Sequence, residues 1–326
     1  MILILSQTVD AVANTVCEWL HYYQKSFLRI NTDSIDDLNL TYAFSEKEKL
    51  TQFDYNGINY NLSDFNCIWF RRGRYKYSYI DKQYHNHPIV NRLIVAHLEN
   101  EIKFFNDFIC EKIDEKVKAI NNPLLYNFNK LKAFKIAQEV GFRTPKTLIT
   151  NKKEVAINYF NPSERLITKC IQDVFSVRDF KNGIFLAYQL KSIDWDYLNN
   201  LPDIFFYSCF QLYIEKKYEI RVFVFFELIY AVAIMSQKYE ESKQDGRVLH
   251  TDDNRIIRII PYSFDTIVKQ KILMFMRKAE LNSGSIDFII TPDDNLFFLE
   301  VNPVGQFEYV SKRGNFNIEQ HIASVL

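Results

Sequence analysis

Residues 285–307 read SIDFIITPDDNLFFLEVNPVGQF and hold the sharpest chemistry in the chain. Apolar runs flank Pro292-Asp293-Asp294-Asn295, so the spacing predicts a hairpin of strands at Ile286–Thr291 and Leu296–Val301. Asp287 sits in the first strand. Glu300 and Asn302 lie two residues apart near the end of the second, which turns both side chains to one sheet face. Three hard oxygen donors converging from a hairpin suit Mg²⁺, which takes few protein ligands and keeps positions open for phosphate oxygens. Carboxylates among Phe and Ile are costly to bury unless paired or metal-bound. The plainer account is a strand with edge-exposed acids.

Basic and polar residues elsewhere could serve the same chemistry. Asn129-Lys130 opens a helix after the Asn121-Asn122-Pro123 break. A lysine there can meet phosphate beside a helix N-terminus, or simply point to solvent. Lys169 ends RLITK inside an otherwise apolar strand, where an ammonium needs an anion or a route to solvent. The extended run Phe210-Gln211-Leu212-Tyr213-Ile214-Glu215 leads into YEIRVFVFFELIYAVAI. Glu219 and Arg221 share one strand face there and demand partners, their own ion pair being the simplest. Asp245-Gly246-Arg247 interrupts a polar loop from Gln237 to Asp253; loop arginines are most often solvated.

The elements that must position these residues follow from periodicity. Residues 2–5 read as a buried strand, Val9 to Tyr23 as a helix, and Phe27 to Ile30 as a second strand. Asn56-Gly57 marks a hairpin over 52–62. Cys67 to Phe70 is a strand followed by Arg71, Arg72 and Arg74. From Val90 to Val117 the apolar spacing fits one long amphipathic helix. A helix from Lys130 to Val140 stops at Gly141. Strands are expected at 146–150, 165–171, 184–190 and 204–214, then a hairpin of Tyr218–Phe226 and Leu228–Ser236. A helix follows over 266–281. The order is α/β, then α+β, then strand-rich.

The 326 residues imply two or three subdomains. Apolar residues at 48% and charged residues at 25% are a globular balance and exclude a disordered or fibrous chain. The 40 basic and 40 acidic residues cancel, so no global field draws nucleic acid or anionic membrane. Arginines and aromatics interleave in RRGRYKYSY, yet one short run in a neutral chain does not support a nucleic-acid binder. Only 8 residues are Gly, and neither G-x-G-x-x-G nor G-x-x-x-x-G-K-[ST] occurs. Five scattered cysteines without C-x-x-C read as free thiols of a reducing cytoplasm. MILILSQTVD lacks the pattern of a signal peptide, and no run reaches the length of a membrane helix.

Taken together, Asn129-Lys130, a strand lysine, a Gln-bearing extended segment, E-I-R-V and D…E-x-N resemble the ATP-grasp superfamily in residues and in order. WFRRGRY at 69–75, before a long helix, resembles the peptide maturases that make microviridin-like graspetides, and among them the grasp-with-spasm type. The resemblance implies an ATP-grasp fold: an N-terminal α/β domain (1–120), a central subdomain (121–200) and a C-terminal antiparallel-sheet subdomain (201–326). ATP would lie between two sheets. Lys130 and Lys169 would contact its phosphates. The side chain of Gln211 and the main chain of Leu212, Tyr213 and Ile214 would take adenine, and Glu219 the ribose. Asp287, Glu300 and Asn302 would hold Mg²⁺, two ions in all. Arg221 and Arg247 would face the transferred phosphoryl group and an acyl phosphate.

The same resemblance implies a cytoplasmic homodimer that acts on a ribosomal precursor peptide with leader and core, without nucleic acid or membrane. One departure is the segment CIQDVFSVRDFKNG after Lys169, where many relatives carry a glycine-rich flap. Here no glycine comes before Gly183, though Ser176 could still donate to phosphate. Two other readings share the nucleotide residues: an ATP-grasp ligase of an amino acid or small molecule, and a non-catalytic peptide-binding scaffold.

Overall fold

A computed structural model of the chain describes residues 1–33, 38–44, 49–72, 83–114, 117–172, 176–179, 184–187, 190–238 and 257–326. The first stretch carries β1 (Ile2–Ser6), α1 (Ala11–Tyr22), β2 (Phe27–Asn31), β3 (Leu38–Phe44), β4 (Lys49–Tyr55), β5 (Ile58–Asn61), β6 (Cys67–Phe70), α2 (Pro88–Asp114) and β7 (Lys118–Ile120). β1, β2, β6 and β7 make a parallel sheet in the order β2-β1-β6-β7. Asp10 caps α1 by accepting from the Ala13 amide. The expected hairpin around Asn56-Gly57 is present as β4 and β5. Both turn residues have positive φ, 52° and 73°, as a two-residue hairpin turn requires. It is joined by β3, which the alternation pattern did not single out. The long helix ends at Asp114, and Val117 leads into the short β7 instead.

The middle of the chain supplies α3 (Lys130–Glu139), β8 (Thr147–Lys152), α4 (Lys153–Tyr159), β9 (Leu166–Lys169), β10 (Ser176–Asp179), β11 (Ile184–Ala187), β12 (Lys191–Ile193), α5 (Trp195–Asn199) and β13 (Ile204–Leu212). Gly141 ends α3 at φ 84°, its amide donating to the Gln138 carbonyl. An antiparallel sheet runs β12-β9-β13-β8 over a small core of Ala156, Phe160, Leu166, Ile193, Leu198 and Phe210. β13 falls within 201–326, yet its hydrogen bonds join it to β8 and β9 of the preceding segment. Conversely α3 packs on the sheet that follows.

The rest comprises β14 (Tyr218–Phe225), β15 (Leu228–Met235), β16 (Arg258–Tyr262), α6 (Thr266–Lys278), β17 (Ser283–Ile290), β18 (Leu296–Asn302), α7 (Glu308–Gly314) and α8 (Ile318–Val325). The strands form an antiparallel sheet ordered β16-β15-β14-β17-β18. Alternation of side chains splits its two faces. Ile220, Val222, Val224, Ile286 and Phe288 point into a core closed by α3 and α6. On the opposite face, Phe223 and Phe225 are covered by Phe307, Val310 and the N-terminal sheet. Farther along that face, the polar row that begins at Glu219 and Arg221 is partly open. Among the described residues no helix is long and apolar enough to cross a membrane.

Candidate active site

Three adjacent strands line up three charged residues. Arg221 on β14 pairs with Asp287 on β17, and Asp287 pairs with Glu300 on β18. The second pairing depends on an irregularity. Phe288 faces Phe298 while Asp287 faces Glu300, so Leu299 is an extra residue on β18. A regular ladder continuing from the Phe288–Phe298 pair would set Glu300 opposite Ile286, on the core face. The bulge turns it to stand beside Asp287 instead. Asn302, opposite Ser285, completes the row of oxygen donors.

Each charge in the row has a partner. Arg221 grips Asp287 with two hydrogen bonds, Nε to Oδ1 and Nη2 to Oδ2, both 2.8 Å. Burial pulls the Arg221 pKa down, but the hydrogen bonds and charge of Asp287, helped by Glu219 and Glu300, raise it above the ordinary arginine value. The guanidinium is thus permanently charged. Lys130, first residue of α3, reaches Glu300 Oε2 at 3.3 Å. Asn129 caps that helix through the amides of Leu131 and Lys132. Lys169 at the end of β9 lies over the Phe134 ring at 5.4 Å. Its pKa is lowered by burial, against the opposing pull of Cys209 and Glu300, and Lys130 lowers it further. Lys130, Lys169 and Glu300 therefore share one field, between the two sheets.

The other expected contacts are arranged differently from a bare nucleotide cradle. Glu219 Oε1 accepts from Lys216 Nζ and from Ser236 Oγ, the latter at 3.2 Å. Gln211 is buried in the sheet and donates to Thr147 Oγ1 at 2.8 Å. The amides of Leu212 and Tyr213 donate to the carbonyls of Lys146 and Arg165. Tyr213 carries the Arg165 guanidinium over its ring at 4.1 Å. Ile214 follows just beyond the strand. Gln172, from the segment after Lys169, spans the gap to α3: Oε1 accepts from the Lys130 amide and Nε2 donates to the Phe128 carbonyl. Asp245, Gly246 and Arg247 lie outside the described residues, as do Gly73, Arg74 and Gly183 and the side chain of Ser176.

The donor set fits a hard cation. Asp287, Glu300 and Asn302 offer two carboxylates and an amide oxygen on one face. The carboxylate oxygens have lone pairs beyond those used in the pairs above. The Asn302 oxygen would give up the longer of its two contacts, the Gly305 amide at 3.4 Å, which also donates to the Asn302 carbonyl at 3.1 Å. Ser285 Oγ, opposite Asn302, is buried without a hydrogen-bond partner among the described residues, as a polar atom awaiting a further group would be. The set relies on Asn302, because no group of three His, Cys, Asp or Glu suited to a metal occurs among the described residues. Sequence reasoning missed Lys216, Ser236, Gln172 and Ser285. For Lys216 a signal existed: the Lys216-Lys217 pair directly after the extended run Phe210–Glu215 and before Glu219, in IEKKYEIR.

No protein-family profile matches the sequence, and comparison with curated proteins gives no match. Solved structures do match. A RiPP-associated ATP-grasp ligase from Chryseobacterium gregarium, in complex with ADP and a leader and core peptide, superposes with a TM-score of 0.81 at 24% identity, covering 100% of this chain and 96% of that one. The macrocyclase MdnC from Microcystis aeruginosa MRC, bound with precursor peptide MdnA, gives 0.78 at 21% identity over 100% of this chain and 98% of its own. The ATP-grasp ligase PsnB, complexed with minimal precursor, Mg and ADP, gives 0.73 at 15% over 99% and 95%. These likenesses span whole chains, so this chain has the ATP-grasp fold along its full length.

Proposed function

We propose that the protein is an ATP-dependent peptide ligase. It activates Asp or Glu side-chain carboxylates of a ribosomally made precursor and joins them to Ser, Thr or Lys side chains, closing ω-ester or ω-amide rings. The observation that carries this reading is the Arg221–Asp287–Glu300 row facing Lys130 and Lys169, on a fold similar to ligases solved with a leader and core peptide or a precursor peptide.

A carboxylate is a poor electrophile until phosphorylated. A peptide carboxylate oxygen attacks the γ-phosphorus of ATP, the bond to the bridging oxygen breaks, and ADP leaves. A hydroxyl or amine then attacks the acyl carbon, phosphate departs with the bonding pair, and the nucleophile's proton passes to phosphate or solvent. Each ring costs the peptide one water. Mg²⁺ at Asp287, Glu300 and Asn302, as one or two ions, would neutralise the phosphate charge.

The protein's own groups do the rest. Lys130 and Lys169 draw the triphosphate between the sheets, which requires Glu300 to exchange Lys130 for the metal. Glu219 exchanges Lys216 for the ribose. The main chain at Leu212, Tyr213 and Ile214, the last with its amide past the ladder, and Gln211 form the adenine edge. Arg221 steadies Asp287 and faces the moving phosphoryl group. Arg247 is assigned to the oxyanion of the tetrahedral intermediate. The chemistry belongs between the β12-β9-β13-β8 sheet and the β16-β15-β14-β17-β18 sheet, and the division into 1–120, 121–200 and 201–326 is part of the same proposal. A homodimer is part of the same reading.

The test is mass spectrometry of a short peptide encoded beside the gene, incubated with the protein and MgATP. Loss of water that needs ATP and disappears with Glu300→Ala supports intramolecular condensation. Alkaline hydrolysis separates esters from amides. Consumption of a free amino acid without any change in the peptide would replace the reading with a small-molecule ligase, and failure to bind nucleotide would leave a peptide-binding scaffold.

A further inference from the structure

Arg71 is the first arginine of the WFRR run and, among the described residues, the largest charged side chain wholly inside the molecule, 1% exposed. It follows β6, its own amide donating to the Leu5 carbonyl at 2.9 Å. The guanidinium crosses to the other end of the chain. Nη1 donates to the carbonyls of Val304 and Gly305 at 2.9 and 3.0 Å. The group lies over the Phe307 ring at 5.2 Å. Nε stands 3.5 Å from Asp10 Oδ2, and neither Nε nor Nη2 has a hydrogen-bond partner among the described residues.

A fold that needed only to pack β6 against this turn would do better with an apolar side chain, because a buried guanidinium with idle donors is costly. Burial lowers the Arg71 pKa to about 10, with Asp10 pulling it back up, so the charge persists at neutral pH. What the arginine does that a hydrocarbon would not is hold two carbonyls. One of them, the Val304 carbonyl, belongs to the same planar trans peptide as the Gly305 amide, so the two point in opposite directions. Asn302 Oδ1 accepts from the Val304 amide at 3.1 Å and from the Gly305 amide at 3.4 Å. Arg71 and Asn302 therefore grip opposite sides of one peptide. Gly305 is confined as well: its φ is 64°, and a Cβ there would meet Phe223 Cε2 at 2.8 Å.

We propose that Arg71, backed by Asp10, is a positioning residue for Asn302: by fixing the Val304–Gly305 peptide from the N-terminal domain, it holds the Asn302 amide oxygen where it can join Asp287 and Glu300 on a divalent cation. The inference rests on the function proposed above. It gives the WFRR segment a part in the metal chemistry through the turn after Asn302 rather than as a ligand. Asp10 is the anchor. Its Oδ2 accepts from Ser6 Oγ and its Oδ1 from the Ala13 amide, both at 3.2 Å, so its carboxylate is fixed by β1 and α1. Arg72 Nε lies 3.8 Å from the same oxygen.

The experiment is calorimetry of ADP binding to the full-length protein with and without MgCl₂, on wild type and Arg71→Met, alongside thermal melting. The expected result is an ADP affinity without Mg²⁺ that is the same in both. The gain conferred by Mg²⁺ should fall about tenfold or more in the variant, the scale seen when a ligand-orienting partner is lost. Arg71→Lys should recover part of the gain. A lower melting temperature with an unchanged Mg²⁺ gain would make Arg71 a strut and overturn the inference. If Arg71→Met does not fold, Asp10→Asn keeps an oxygen for the Ala13 amide and removes the charge facing Arg71; an unchanged Mg²⁺ gain there would overturn it too. A wild type whose ADP binding ignores Mg²⁺ would instead strike down the metal assignment in the proposed function, and this inference with it.

Discussion

Asp287 and Glu300 stand side by side but are held by different cations. Asp287 is clamped through both oxygens by Arg221, while Glu300, partly open to solvent, pairs among the described residues with Lys130 at 3.3 Å. In the proposed metal set Glu300 is therefore the donor freer to swing, and Asp287 the preset one. Replacing either by Ala should lower turnover by about a hundredfold or more, the scale of losing one preorganised charge partner. Full activity in a clean preparation would remove the metal assignment. Lys169→Met should weaken ATP binding about tenfold to a hundredfold, the worth of one hydrogen bond to a charged group. Unchanged affinity would count against its placement.

Lys169 also makes a pH prediction. Burial lowers its pKa in the folded state, so just below the ordinary lysine value the unfolded chain binds more protons than the folded one. Stability must rise with pH across that window. Wild type should gain in melting temperature relative to Lys169→Met as pH climbs through it, and parallel curves would contradict the burial.

At the scale of elements, the bulge on β18 and the turn after it decide the site. Leu299 shifts Glu300 from the core face to the side of Asp287. Gly305 then lets the chain fold back against Phe223 and Gly284. Gly305→Ala combines a left-handed backbone with a close contact and should cost about 1–3 kcal/mol. Urea unfolding measures that cost, and the loss should extend to the Mg²⁺ gain, because the same turn carries Asn302. Stability equal to wild type would mean that the turn has room to relax.

At the scale of the molecule, the two ends of the chain are interlocked. α1 and β1 share a core with Phe223, Phe225, Phe307 and α8, so the N-terminal sheet is built onto the same face of the five-stranded antiparallel sheet that carries the Arg221–Asp287 row. α2 is the exception. Leu93 and Phe104 on it are 63% and 64% exposed, and no residue of the helix whose burial is described is buried. The proposed homodimer would cover such a surface. Leu93→Glu should then convert a dimer to a monomer in light scattering while leaving ADP binding intact; an unchanged mass would remove α2 from the interface.

Much of this was legible in the sequence for local reasons. Short apolar runs located β1 and β6, apolar strand patterns around turns located β14, β15, β17 and β18, and helical spacing located α1, α3 and α6, because these patterns are properties of the chain itself. Short or weakly patterned pieces escaped: β3, β7 and α4, and the terminal α7 and α8 that close the N-terminal core. The donors were named from residue type and order, and the resemblance they carried agrees with the fold. Two-residue spacing could align Glu300 with Asn302, but only the ladder with its extra residue sets Glu300 beside Asp287.

Nothing in the sequence separates Arg71 from Arg72 after the strand, yet Arg71 is buried against the far end of the chain. A hydrophobic period tells which residues seek a core; it carries no record of which distant carbonyl an arginine will meet. Residue types and local periods determined the elements and the chemistry available to them. Pairing register, the bulge and the bond from Arg71 to the turn join residues far apart in sequence, and only the folded chain could decide those.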